Sequence, residues 1–220
     1  MEDIKFENQQ IMTTSFEEKW FWFGKNIVTK DQVNRIHEVA LEYTVSQGQT
    51  DGDTVYTRQE VRDCKLSWLD DEEIYEIVRP IVQDVNEYVG WNYELTAIEP
   101  AQYTIYTSQN NHYSWHVDCS SSYNQQEGIL KNTVRKISCV IQLSDENDYE
   151  GGDFQFSGLD NTSYIDNKQD HLESKTLEIP DAKGLGNVVM FPSFTFHRVL
   201  PVTRGIRKTL VVWFRGPKWR

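Results

Sequence analysis

Residues 191–214 read FPSFTFHRVLPVTRGIRKTLVVWF, and this stretch decides the fold. Phe191 ends one strand, Pro192 and Ser193 make a turn, and His197 starts the next strand. Pro201 and Gly205 bracket a second turn, and Arg207 opens a last strand. In that strand Ile206, Leu210 and Val212 form an apolar set on one face, while Arg207, Thr209, Val211 and Trp213 share the other. Two adjacent strands of one sheet would then hold His197 and Arg207 on one inner face. Far upstream, His116-Val117-Asp118 closes another candidate strand. A strand sends residues i and i+2 to the same face, so His116 and Asp118 can grip one metal, with His197 as the third ligand. Two imidazoles and one carboxylate make the facial ligand set of non-heme Fe(II) oxygenases. It leaves three octahedral positions for a cosubstrate and O2. Arg207, ten residues after His197, can pair bidentately with a carboxylate of that cosubstrate. The combination carries the reading, because a bare His-x-Asp arises by chance.

Outward from these motifs the chain changes texture once. Thr29-Lys30-Asp31-Gln32 reads as a capping box, and Val33, Ile36, Ala40 and Leu41 at helical spacing predict a helix to about Val45. Cys64–Leu69 predicts a short strand. Asp70-Asp71 then caps a helix with Ile74, Ile77, Val78, Ile81, Val82 and Val85 on its apolar face, kinked or split at Pro80 and ended near Gly90. From Asn92 onward alternation predicts strands at 95–107, 113–118, 135–143, 153–157, 175–179, 187–191, 196–200 and 206–214. Polar loops fill 46–60, 119–133 and 158–173. Helices followed by many short strands imply an α+β architecture, with helices packed on one sheet of a sandwich or jelly roll. His37 reads as structural, His171 as solvated, and His112 as part of a turn entering a strand.

The 220 residues suit one domain, 1–220, with helical support over 1–91 and a β core over 92–220. No run of eighteen apolar residues suggests a membrane span. The polar N-terminus lacks a signal-peptide core, and Cys64, Cys119 and Cys139 are dispersed and odd in number, which points to a reducing, cytoplasmic setting. A net charge of −12 argues against nucleic acid as a partner. Yet Ala182–Arg220 holds eight basic residues and no acid. That stretch reads either as a solvated counterweight to an acidic body or as a local field for a small dianion.

Four segments bear a family likeness: Cys64–Leu69, the Tyr106…Tyr113…His116-Val117-Asp118 block, Tyr149-Glu150-Gly151-Gly152-Asp153-Phe154, and Phe191-Pro192…His197…Arg207. Through them the chain resembles the 2-oxoglutarate/Fe(II)-dependent oxygenases, prolyl 4-hydroxylase-like branch. The resemblance implies a double-stranded β-helix core with N-terminal supporting helices. It implies Fe(II) on His116, Asp118 and His197, 2-oxoglutarate and O2 as cosubstrates with L-ascorbate as an optional accessory, and the far carboxylate of 2-oxoglutarate on Arg207. It assigns Tyr106 to a cosubstrate contact, Tyr113 to the wall of the site and Trp213 to an aromatic near the metal, and it sets Ile141 where some relatives carry another cosubstrate tyrosine. The Gly-Gly turn is structural. The implied reaction is hydroxylation of prolyl residues in a peptide or protein, with the loops at 46–60 and 119–133 closing over it. The alternatives are an oxygenase of the same fold acting on a nucleobase or small metabolite, and a non-catalytic metal-binding module. An intact Arg207 speaks against the module, which needs no cosubstrate clamp.

Overall fold

The structure is a computed structural model that describes residues 20–47, 62–109, 111–119, 128–157 and 176–219. Two helices lie in its N-terminal half. Helix α1 (Lys30–Ala40) starts in the expected capping box: the Gln32 amide donates to the Thr29 hydroxyl, and the Thr29 amide donates to the Gln32 side chain. It stops five residues short of the predicted end. Its buried stripe of Val33, Ile36, Val39 and Ala40 runs out, and Leu41 is 87% exposed, so no core contact holds a further turn. Helix α2 (Glu72–Tyr88) is capped by Asp71 and runs through Pro80 without splitting. Pro80 is exposed, so the carbonyl that loses its partner can turn to solvent.

The strands among the described residues are β1 (Trp22–Gly24), β2 (Ser46–Gln47), β3 (Arg62–Asp63), β4 (Lys65–Leu69), β5 (Ala97–Ile98), β6 (Ala101–Thr107) and β7 (His112–His116). They continue with β8 (Thr133–Gln142), β9 (Tyr149–Gly151), β10 (Phe154–Ser157), β11 (Leu177–Glu178), β12 (Val188–Pro192), β13 (Phe196–Val199) and β14 (Val202–Pro217). One sheet runs β1-β12-β8-β14-β6-β4-β2, with β5 and β9 also pairing with β14. The other runs β11-β10-β13-β7-β3. The two sheets make the double-stranded β-helix.

The period of two along β8 shows how the layers form. Ile137, Cys139 and Ile141 face α1 and α2 in a core that also holds Leu210, Val212 and Phe214. Val140, together with Val189 and Phe191, points the other way and meets Phe154, Phe156, Val199 and Val202 between the sheets. Each fully buried side chain of this size contributes roughly 1.5–3 kcal/mol. The run of four aromatics opening at Trp20 enters as an edge strand, with Phe21, Trp22 and Phe23 buried. Two of the predicted strands change their bounds markedly. The predicted strand 95–107 is two strands, broken where Pro100 lacks an N–H. β14 starts at Val202 instead of 206, because β9, read as part of a turn, pairs with its first residues. Gly205 lies inside it with φ +75°, where a Cβ would strike the Asp148 carbonyl. The loop at 158–173 lies outside the described residues, and those at 46–60 and 119–133 lie mostly outside them.

Candidate active site

His116 is the last residue of β7 and pairs with His197 of β13, so neighbouring strands set the imidazoles side by side, 4.1 Å between ring centroids. Each ring is oriented by its own backbone. His116 Nδ1 lies 2.8 Å from the Ser114 carbonyl, and His197 Nδ1 lies 2.9 Å from the Thr195 carbonyl. A carbonyl can only accept, so each Nδ1 carries the proton and each Nε2 presents a lone pair, as a metal ligand must. Asp118 completes the group: Oδ1 is 3.5 Å from His116 Nε2 and Oδ2 is 3.6 Å from His197 Nε2. The ligand atoms of the three residues lie within 4.8 Å of one another, and among the described residues this is the one such His/Cys/Asp/Glu cluster.

Asp118 does not reach the site as a strand neighbour of His116, because β7 ends at His116. The Asp118 and Cys119 amides donate to the Ser193 carbonyl at 2.9 and 2.8 Å. The Ser138 hydroxyl donates to Asp118 Oδ2 at 2.7 Å. Burial by itself would raise the Asp118 carboxyl, but positive charge on His197 and His116, with Arg135 behind them, outweighs it and holds the group well below the usual carboxylate range; a divalent cation on the neutral rings would supply the same charge. His197 is pushed down to about 4 by burial, then by His116, against the opposite pull of Asp118. An ionised carboxylate beside neutral imidazoles is the protonation state a divalent cation requires.

Arg207 lies on β14, which belongs to the other sheet. It and His197 therefore face each other across the sandwich, and are not on adjacent strands of one sheet as expected. The guanidinium is 2% exposed and has no carboxylate partner among the described residues; its Nε has no hydrogen-bond partner. Its carbon lies 5.3 Å from the Tyr106 ring centroid, and its Cδ passes so close to Gly152 that a Cβ there would sit 2.8 Å away. A buried cation left without an acid is costly unless an anion arrives from outside. The Trp213 indole N–H is likewise buried and without a hydrogen-bond partner among the described residues. Arg207, Tyr106, Trp213 and the metal cluster line one cleft that opens to solvent, with Gln102, Val140, Phe154, Val199, Thr209 and Val211 completing its walls. The donor set thus fits a divalent metal at one end and a small carboxylate at the other.

The remaining residues singled out in the sequence divide cleanly. Tyr113 stacks on His116 at 3.5 Å between centroids, and Trp213 packs beneath Arg135 at 3.8 Å and beside the half-exposed Trp68. Ile141 does not face the cleft; Val140 does, and Ile141 is buried against the helices. His112 opens β7 and lies outside the metal cluster. His37 bridges Tyr103 and the Leu143 carbonyl, a structural role. His171 lies outside the described residues. None of the three cysteines is in a disulfide. Much of the basic C-terminal charge is spent on neighbours: Lys183 on Asp153, Arg204 on Glu150 and Arg215 on Glu99. Sequence reasoning missed Ser138, Ser193, Arg135 and Glu99. Ser138 carried a signal, a hydroxyl in the otherwise apolar run from Ile137 to Ile141.

A double-stranded β-helix with two histidines and one aspartate facing a buried arginine defines an iron-oxygenase frame. The chain belongs to the 2OG-Fe(II) oxygenase superfamily, whose family model matches residues 101–215, just over half of its length. A PKHD-type hydroxylase of Polaromonas sp. is 30% identical over 108 residues, covering 49% of this chain and 40% of the relative. One from Xylella fastidiosa is 30% identical over 119 residues, covering 53% of this chain and 44% of the relative. The chain thus spans less than half the length of these relatives. Among solved structures, a Trichoplax adhaerens prolyl hydroxylase in complex with a hypoxia-inducible-factor peptide superposes with a TM-score of 0.62 at 18% identity, covering 88% of this chain and 82% of that one. A Pseudomonas putida prolyl-4-hydroxylase gives 0.59 at 17% identity, covering 90% and 93%. At these identities the structures speak for the fold.

Proposed function

We propose that this protein is an Fe(II)- and 2-oxoglutarate-dependent oxygenase that hydroxylates prolyl residues of a peptide or protein. The observation that carries the reading is the pairing, in one cleft, of the His116–Asp118–His197 cluster with a buried guanidinium that has no acid partner among the described residues. A catalytically silent metal module would gain nothing from Arg207. Hydroxylation is supported by the names of the relatives, and the prolyl class by a peptide-bound prolyl hydroxylase and a prolyl-4-hydroxylase among the structural neighbours.

When bound, Fe(II) with 2-oxoglutarate and O2 supplies hydroxylation of a C–H bond, the cosubstrate leaving as succinate and CO2. The chain's own residues do the rest. His116 and His197 offer Nε2 because the Ser114 and Thr195 carbonyls hold their Nδ1 protons. Asp118 stays ionised and supplies the negative charge. Arg207 binds the far carboxylate, with the Tyr106 ring against it, and the Trp213 N–H is a further donor to an anion in the cleft. Val140, Val199, Val211 and Phe154 exclude water, which strengthens each of these polar contacts.

Mass spectrometry tests the reading. Peptides containing single or repeated prolines, incubated with the protein, Fe(II), 2-oxoglutarate and ascorbate, are expected to gain one oxygen mapped to proline. The His116→Ala variant should give none. Succinate released only with a nucleotide or a free amino acid, with no peptide modified, would reject the prolyl reading.

A further inference from the structure

Asp118 is the one cluster residue that no strand holds; Arg135, itself paired with Glu99, donates to its carbonyl at 3.3 Å, and a pair of serines holds the rest. Ser138 on β8 and Ser193, between β12 and β13, are both fully buried. Ser138 Oγ is 2.7 Å from Asp118 Oδ2 and 3.0 Å from Ser193 Oγ. A hydroxyl has one proton. An ionised Asp118 can only accept, so the Ser138 proton goes to Oδ2, and Ser193 must then donate to Ser138. The direction of the chain follows: Ser193 O–H to Ser138 Oγ, and Ser138 O–H to Asp118 Oδ2. Ser193 is fixed in turn by its own backbone. Its amide donates to the Lys136 carbonyl at 3.0 Å, and its carbonyl accepts from Asp118 and Cys119. One residue thus clamps the main chain of the metal ligand and, through Ser138, the side chain as well.

We propose that Ser138 and Ser193 are positioning residues that choose which oxygen of Asp118 reaches the metal. The Ser138 proton takes one of the two lone pairs of Oδ2 and weakens it as a donor, which leaves Oδ1 the stronger donor and the ligating atom. The carboxylate then binds through one oxygen and does not chelate, which keeps a coordination position open for the cosubstrate. The inference rests on the reading of His116, Asp118 and His197 as the Fe(II) site. Hydrogen-bonded outer partners of metal ligands typically contribute about 10- to 100-fold in affinity. Here the partner also sets how many oxygens the ligand offers.

The test uses Co(II) alone, titrated into the full chain without O2, and reads both affinity and the visible absorption of the bound ion. Ser138→Ala is expected to weaken Co(II) binding by roughly 10- to 100-fold and to change the absorption, since a freed Oδ2 alters the coordination. Ser138→Thr keeps the hydroxyl and should restore both readings. Ser193→Ala should give the same spectral change to a smaller degree. If Ser138→Ala fails to fold, Ser193→Ala carries the comparison, and an unchanged spectrum there overturns the proposal. If Ser138→Ala folds and matches the wild type in affinity and spectrum, while Asp118→Ala loses Co(II), the serine relay is wrong and the metal-site reading stands. A wild type that takes up no Co(II) brings both down.

Discussion

Replacing Arg207 by Met should leave the ligand-free fold intact and abolish its stabilisation by 2-oxoglutarate. Methionine keeps an unbranched stem against Gly152 but removes the charge. In the ligand-free protein that charge is a liability: it is 2% exposed, without a carboxylate among the described residues, and offset by little more than the Tyr149 hydroxyl and the Tyr106 ring. Burying such an ion costs several kcal/mol, whereas a stacked aromatic returns only about 0.5–2 kcal/mol. The variant without ligand should therefore melt within about 1 kcal/mol of the wild type, or above it. The bound state behaves oppositely. At 2-oxoglutarate a hundred times its Kd the wild type gains about 2.7 kcal/mol, or roughly 5–10 °C for a chain of this size. Losing a buried charge-assisted contact costs about 2–5 kcal/mol, a weakening of roughly 30- to 4,000-fold. At the same concentration the gain then falls below about 1 kcal/mol. Thermal melts with Mn(II) in place of iron and without O2 measure both quantities with no turnover. A methionine variant that keeps most of the 2-oxoglutarate shift would refute the clamp. One that loses more than about 3 kcal/mol without ligand would show Arg207 to be a structural residue.

Two further outcomes follow from the same geometry. Gly152→Ala puts a Cβ 2.8 Å from Arg207 Cδ at φ +64°, so it should cost about 1–3 kcal/mol in stability and also raise the 2-oxoglutarate requirement. A melt that drops with an unchanged cosubstrate requirement would show that Arg207 adjusts freely. Glu99 is buried between Arg135 and Arg215; burial pushes its carboxyl up, but the two arginines outweigh that and hold it below the usual range. A depressed carboxylate contributes stability that is present above its unfolded pKa and lost as pH falls toward the folded one. Glu99→Gln should thus lower stability by roughly 3–5 kcal/mol at pH 7 and flatten the acid side of the pH–stability curve. An acid limb as steep as in the wild type would assign that limb to other carboxylates.

Much of this protein was legible in one dimension because its signals are local. The capping box at Thr29, the Asp71 cap and the alternation over 135–143 each act within a few residues; both caps appear where the sequence placed them, and the strand appears as β8, Thr133–Gln142. The His116…Asp118…His197…Arg207 spacing was legible for a chemical reason: few other uses require two imidazoles, a carboxylate and a guanidinium in that order. What the sequence misread depends on distant partners. Helix α1 stops where the sheet ceases to cover it, β14 begins early because β9 pairs with it, and Ile141 turns toward the helices while Val140 takes the cleft. Only the tertiary structure decided that Arg207 and His197 stand on facing sheets, and that Ser138, Ser193 and Glu99 support the centre. Those hydrogen bonds and ion pairs join residues 20 to 116 positions apart. Local chain preference has no access to such separations, and packing the two sheets together brings those residues into contact.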